Sequence, residues 1–123
     1  MDPAQVNTVA VAEAIVMGVK AGLDPQTIYD VVRVSTGASY AFENRVPRML
    51  ARDFAPGGTI DISFTDQELE TAFAKRLGVP VLLADVTQQV RHMARAAGFS
   101  KEAGSAALKI FERLAGITAG KGQ

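Results

Sequence analysis

Apolar side chains recur along this chain at steps of three and four, and the gaps between the runs carry helix-stop chemistry. Asp2-Pro3 reads as an N-cap followed by proline at the first helical position. From there Val6, Val9, Val11, Ile15, Val16 and Val19 cover nearly the whole circumference of a helix that reaches about Ala21 and closes on Gly22. A helix apolar all round must be buried on several sides, by a central position or by another subunit. Asp24-Pro25 repeats the start signal for a second helix, which carries Ile28, Val31 and Val32 to about Ser35. A third segment, Ser39 to Arg52, holds Tyr40, Phe42, Val46 and Met49, and Pro47 is expected to kink or split it. Phe54 to Gly58 is a loop, and Gly78-Val79-Pro80 ends a fourth helix. A fifth is expected over about Val81 to Ala97, and a sixth, capped by Ser100, to about Leu114. The pattern predicts one all-α domain of about six helices over residues 1–115, with 116–123 as a flexible tail rich in small residues.

The segment Thr59 to Leu77 breaks the regularity. Thr59-Ile-Asp-Ile-Ser-Phe64 alternates with period two, as a short strand would. Thr65-Asp-Gln-Glu68 then reads as a capping box, with Phe64 and Leu69 as its hydrophobic staple. Yet Ile62, Leu69, Phe73 and Leu77 also form a helical stripe, and Asp66 falls inside it. Asp66 is therefore either a first-turn acid that favours the helix dipole or a carboxylate held mid-helix on an apolar face.

Composition narrows the chemistry. The 123 residues are 48% hydrophobic and 21% charged, with thirteen basic and thirteen acidic side chains, so nothing draws the chain as a whole toward nucleic acid or an acidic membrane. Arg45, Arg48 and Arg52 share roughly one helix face, which reads as a solvated face in preference to a phosphate-binding one. There is no cysteine, and the single histidine, His92, has no neighbours in sequence with metal or triad spacing. The run from Val9 to Val19 is interrupted by Glu13 and is too short to span a bilayer, so a cytoplasmic protein is expected. No glycine-rich phosphate loop and no Gly-x-Gly-x-x-Gly after a strand is found.

Taken as phrases, the chain is more specific. Asn7-x-x-Ala10-x-Ala12-Glu13-Ala14, Lys20-Ala-Gly-Leu-Asp-Pro25, Ser35-Thr-Gly-Ala-Ser39 and Glu43-Asn-Arg45-x-Pro47-Arg-Met-Leu50 follow one another. Asp53-Phe-x-Pro56, Asp66 and Leu77-Gly-Val-Pro80 come next. In this order and spacing, from about Val6 to Leu114, they resemble the C-terminal helical domain of the β-hydroxyacid dehydrogenases. This is the family of 3-hydroxyisobutyrate dehydrogenase and tartronate semialdehyde reductase, whose helical domain has the 6-phosphogluconate dehydrogenase C-terminal-like fold. Ile28-Tyr-Asp-Val-Val32 and Ser105 to Phe111 lean toward a threonate dehydrogenase-like branch.

The resemblance implies a division of labour in which a Rossmann domain binds NAD or NADP and the helical domain completes the substrate pocket. The implied proton-transferring lysine falls upstream of Met1, and its companion asparagine at about Met1. No catalytic residue is therefore expected within the chain, nor tight binding of the cofactor by it alone. Of the family's Lys-Asp pair on the cofactor side of the cleft, Asp66 is present and Thr65 replaces the lysine. The pair makes Asp66 and Thr65 the candidate cofactor-side residues and places Asp66 inside one continuous helix. Asn7, Ser39 and Asn44 are the candidate substrate-side residues, with helix capping by Ser39 and a structural hydrogen bond by Asn44 as competing readings. Two functions follow: the substrate-side and dimerisation domain of a hydroxyacid dehydrogenase, partnered by a Rossmann domain, or a stand-alone non-catalytic helical module that forms a homodimer. Neither involves nucleic acid or a membrane.

Overall fold

The computed structural model describes residues 3–120. Among them are six α-helices and no strand: α1 (Ala4–Lys20), α2 (Pro25–Val32), α3 (Tyr40–Leu50), α4 (Ile60–Leu77), α5 (Leu82–Ala96) and α6 (Ala107–Ala115). The expected all-α architecture is the one observed. The cap assigned to Asp2 lies outside the described residues.

α1 takes the central position that its all-round apolar character requires, packing against α2, α3, α5 and α6. Ala12, Ile15 and Val16 meet Phe42, Val46 and Met49 of α3 and Leu108 of α6 in the main core. Emptying such a position, as in Ile15→Ala, costs about 2–5 kcal/mol. Gly18 sets the approach of α2: a Cβ there would stand 2.5 Å from Ile28 Cδ1. Asp24 caps α2 by accepting from Gln26 N–H at 3.2 Å. α2 stops at Val32, three residues short of the expected end, and the chain turns through 33–37. Pro47 does not split α3, which runs unbroken across it.

Two expected starts move. α4 begins at Ile60, where Thr59 Oγ1 accepts from Ile62 N–H at 3.2 Å, so neither the strand over 59–64 nor the capping box at Thr65 forms. Thr59 keeps only an isolated bridge to Ala103. The loop around Ser100 is already committed, its carbonyl accepting from Asp61 N–H. A 3₁₀ turn over Gly104–Ala106 therefore intervenes, and α6 starts only at Ala107, with no side-chain cap.

Residues 116–120 fold back onto the domain instead of fraying; 121–123 lie outside the described residues. Ala119 is fully buried and Ile117 packs against the main core. The anchor is ionic. Arg52 adopts a left-handed backbone (φ 53) and sends a bidentate pair to Glu112, at 2.7 and 3.0 Å, while also donating to Ala119 O at 3.0 Å. Glu112 in turn accepts from Ala119 N–H at 2.6 Å. The hydrogen bond to Glu112 raises the Arg52 pKa against the opposing effect of burial. Gly120 completes the seat: its φ is +96, and a Cβ would stand 2.9 Å from Leu50 O. Removing the acid strands a partly buried guanidinium and releases the tail together. Glu112→Ala is thus expected to lower unfolding stability by about 2–4 kcal/mol in urea titration, and a loss below about 0.5 kcal/mol would show the tie to be an ordinary surface pair.

Candidate functional site

α4 is packed inside out. The residues it buries are Ile60, Gln67, Thr71 and Ala74, so much of its seam with α5 is polar. Thr71 Oγ1 stands 3.3 Å from Gln88 Oε1 across that seam, and the buried Gln67 Oε1 has no hydrogen-bond partner. The stripe of large apolar residues faces outward instead: Ile62, Leu69, Phe73 and Leu77 are each 54–68% exposed. Leu82, Leu83 and Val86 extend this apolar surface across the start of α5. Asp66 and Thr65 lie exposed in the middle of α4, Asp66 within the stripe. The mid-helix reading of Asp66 therefore holds, and its carboxylate is hydrated, with no burial cost. Among the described residues no basic side chain forms an ion pair with it.

One other acid on α4 does have cations. Asp61, in the first turn, bonds Arg95 at 2.8 Å and Lys101 at 3.3 Å. Burial pushes its pKa up, but the bonds and charges of Lys101 and Arg95 together hold it below the ordinary carboxylate range. Arg95 also lies over the ring of Phe64, which stacks on His92 at 5.6 Å. The histidine is thus an exposed stacking partner, and no metal-competent cluster exists among the described residues.

The substrate-side candidates divide. Asn7 and Ser39 line one cavity of about 240 Å³ between α1, α2 and α3, walled by Ala10, Ile28, Val32 and Phe42. Ser39 also caps α3, its Oγ accepting from Phe42 N–H at 2.9 Å, which leaves the hydroxyl proton free to donate. Asn44 lies exposed on α3 and does not line the cavity. Thr65 and Asp66 do not line it either. Of the arginine run, Arg52 is taken by Glu112, and Arg48 by Ala55 O and Asp53, so the three do not form a phosphate-binding face.

Sequence reasoning passed over Arg91, although a signal was present. Arg91 sits in the α5 stripe Ala84-Thr87-Arg91-Ala94 at helical spacing, where a charged residue should not be. It is 2% exposed, and its Nε–H donates at 2.9 Å to the side-chain oxygen of Gln5 on α1. Nη2 donates to the same oxygen, and Nη1 is buried without a partner. Burial, and behind it the charge of Arg45, push its pKa down to about 10, which leaves the guanidinium charged at neutral pH.

The fold is that of an all-α helical domain, and comparisons with known proteins give its family. Residues 4–111 match the family described as NAD-binding of NADP-dependent 3-hydroxyisobutyrate dehydrogenase, and the chain belongs to that family. It is 39% identical to the L-threonate dehydrogenase of Cupriavidus necator over 108 residues, 88% of this chain and 36% of that protein. Against the 2-(hydroxymethyl)glutarate dehydrogenase of Eubacterium barkeri the identity is 34%, over 95% of this chain and 39% of the relative. The crystal structure of a 3-hydroxyisobutyrate dehydrogenase from Salmonella typhimurium superposes with a TM-score of 0.84 at 36% identity, over 87% of this chain and 38% of that one. The chain thus spans a little over a third of the length of the relatives it matches. No helix among its described residues is long and apolar enough to cross a membrane.

A nicotinamide cofactor does not fit the donor set on α4 alone. Asp66 can accept from a hydroxyl or amide, but an acid beside a threonine cannot neutralise a pyrophosphate. Because Asp66 is hydrated and unpaired, Asp66→Asn is expected to change the stability of the chain by less than about 0.5 kcal/mol in urea titration. A larger loss would mean that the carboxylate has a structural partner.

Proposed function

We propose that this chain is the helical, substrate-side part of an NAD(P)-dependent hydroxyacid dehydrogenase, working with a Rossmann domain on a small 3-hydroxy acid of the threonate type. The observation that carries this reading is the inverted α4. A stripe of four large apolar residues faces water with one acid among them, a pattern that calls for another surface to cover it. Asp66 then comes to line the interdomain cleft, where the family resemblance puts the acid of its cofactor-side pair. The chain supplies the wall and the orienting groups, Asp66 on α4 and the cavity of Asn7 and Ser39. Proton transfer and the cofactor cradle come from the Rossmann side and its junction with α1, so the chain alone is not an enzyme. The similarity to L-threonate dehydrogenases over most of the chain supports the substrate class. A hybrid in which residues 4–111 replace the corresponding part of the Cupriavidus enzyme is expected to reduce NAD with L-threonate, while the chain alone leaves NADH fluorescence unchanged at millimolar concentration. A folded hybrid that binds NADH and turns over no threonate would overturn the reading.

A second copy of the chain is the partner proposed for another surface. Between α1 and α6 runs an apolar groove of about 830 Å³ lined by Ala10, Ala14, Met17, Phe111 and Leu114, with Glu13 and Lys20 at its edges. Met17 is 73% exposed. If two copies of α1 cross antiparallel near Met17, Glu13 of each copy meets Lys20 of the other, the self-complementarity that a two-fold interface needs. Small Ala10 and Ala14 let the helices approach closely. Sedimentation is expected to show a dimer that Met17→Glu converts to monomer, and a wild-type chain monomeric at every concentration would exclude this interface.

A further inference from the structure

The hollow of about 240 Å³ between α1, α2 and α3 is braced by contacts at its edges. Gly18 lets Ile28 pack directly on α1, which sets the spacing of α2. Tyr29 stacks on Phe42, with ring centroids 5.5 Å and planes 10° apart, which ties α2 to α3. The cap that Ser39 provides fixes where α3 begins. Closing the space between the three helices would break one of these contacts, so the cavity is preformed.

Its lining is graded from apolar to polar. Val11, Ile15 and Phe42 are buried and form an apolar floor. Asn7 and Ser39 are half-buried and Gly37 is exposed, so the cavity opens to solvent on that side. Because Ser39 Oγ accepts from Phe42 N–H, its own proton is free to donate into the space. The Asn7 side chain enters no hydrogen bond among the described residues, and its amide offers both an acceptor and donors. No charged side chain lines the cavity, so the ionised end of a ligand would lose water there and gain no counter-charge. Size sets a second limit. An apolar cavity of about 150 Å³ holds benzene, and drug-sized ligands need about 300–1,000 Å³, so this one suits a molecule of roughly six to ten non-hydrogen atoms.

We propose that this cavity binds a short uncharged alkyl chain that carries a hydroxyl group. The alkyl part lies on the floor of Val11, Ile15 and Phe42, and the hydroxyl bridges the two polar residues at the rim. Its oxygen accepts from Ser39 Oγ–H, and its proton goes to the side-chain oxygen of Asn7. Gly37 keeps the entrance open: a Cβ there would stand 3.4 Å from Val32 Cγ1, so a larger side chain would start against the wall and fill the opening. That the occupant is the uncharged end of a hydroxy acid, with its carboxylate left outside, rests on the reading of the chain as the substrate-side half of a dehydrogenase. The preference for a neutral hydroxyalkyl group over a carboxylate does not.

The test titrates the isotope-labelled chain itself and follows its amide signals by NMR, with two probes that share one alkyl group: 3-methylbutan-1-ol and sodium 3-methylbutanoate. The alcohol is expected to bind saturably with a Kd on the order of a few millimolar, as suits so small a ligand. The signals that move first should be the Asn7 side-chain amide and the backbone amides of Gly37, Ser39 and Phe42. The carboxylate is expected to bind at least about ten-fold more weakly. Gly37→Leu should abolish the response to the alcohol. Ser39→Asp keeps an acceptor for Phe42 N–H but removes the donor, and should weaken binding about five-fold or more. If Gly37→Leu does not fold, Ser39→Asp carries the test, because it preserves the helix cap. Equal binding of the two probes, binding unchanged in either variant, or shifts confined to the exposed stripe of α4 or the α1–α6 groove would each overturn the proposal. Saturable binding by the chain together with an inactive hybrid enzyme retains the cavity and rejects the dehydrogenase reading; an active hybrid whose helical part binds no alcohol does the reverse.

Discussion

α1 buries Val9, Val11, Ala12, Ile15 and Val16 on faces that turn through most of its circumference, and no single partner helix can cover them. That requirement fixes the rest of the domain. α3 and α6 supply the large residues of the main core, α2 approaches over Gly18, and α5 closes the side carrying Val9. At about 25 cal/mol per Å² of apolar surface removed from water, these contacts are the main favourable contribution to folding. The strip of α1 left open is built from Ala10, Ala14 and Met17, an apolar surface turned to solvent with Glu13 and Lys20 at its margins.

Polar side chains then fix what apolar packing leaves loose. The Arg52–Glu112 pair joins the end of α3 to α6, and by holding Ala119 through both its N–H and its carbonyl it folds the last described residues over the core. Strain at Arg52, in a left-handed backbone, persists because Glu112 and the Phe54 ring hold its guanidinium. A second anchor acts at the start of α4, where Asp61 collects Arg95 and Lys101 while Lys109 lies over both Phe54 and Phe99. The first turn of α4 is tied more firmly to the domain than its C-terminal half, and that half carries most of the exposed stripe.

The helices and their order were legible in the sequence because apolar period and start signals agreed: Asp24 and Ser39 cap the helices they were expected to open or precede. The misreadings share a cause. The alternation at 59–64 and the capping box at Thr65 are local patterns, and a better N-cap at Thr59, supported by long-range bonds from Ile60 N to Glu102 O and Asp61 N to Ser100 O, overrides both. Pro47 was expected to interrupt α3, but Val46 and Met49 on either side are fully buried, and their packing carries the helix across the missing N–H. The tail resembled a disordered end by composition, since nothing local shows that Glu112 and Arg52 hold it. The candidate site was legible only in part, and for a related reason. Asn7 and Ser39 meet through tertiary packing, while the Arg91–Gln5 contact joins residues 86 positions apart.

The two charged residues that sit at apolar-stripe positions have opposite fates, and the difference shows how stripe patterns should be interpreted. Asp66 lies in a stripe of strongly apolar neighbours that turns out to face water, so its charge is hydrated and the stripe itself is what lacks a partner. Arg91 lies in a stripe of small and weakly polar neighbours that faces the core, so the stripe is satisfied and the charge is what lacks a partner. Hydrophobic period alone gives the same signal for both helices. What separates them is residue size: α4 and α5 approach through Ala74, Thr71, Ala84 and Thr87, small enough for close packing, and the bulky residues of α4 are thereby turned outward. The apolar stripe of α4 is thus excluded from its own core by a better-fitting small-residue seam. The cation buried in that seam's continuation, where α5 reaches the start of α1, is met by the amide oxygen of Gln5. Both features lie on helices that also hold the domain together, through the α4–α5 seam and the packing of α5 on α1.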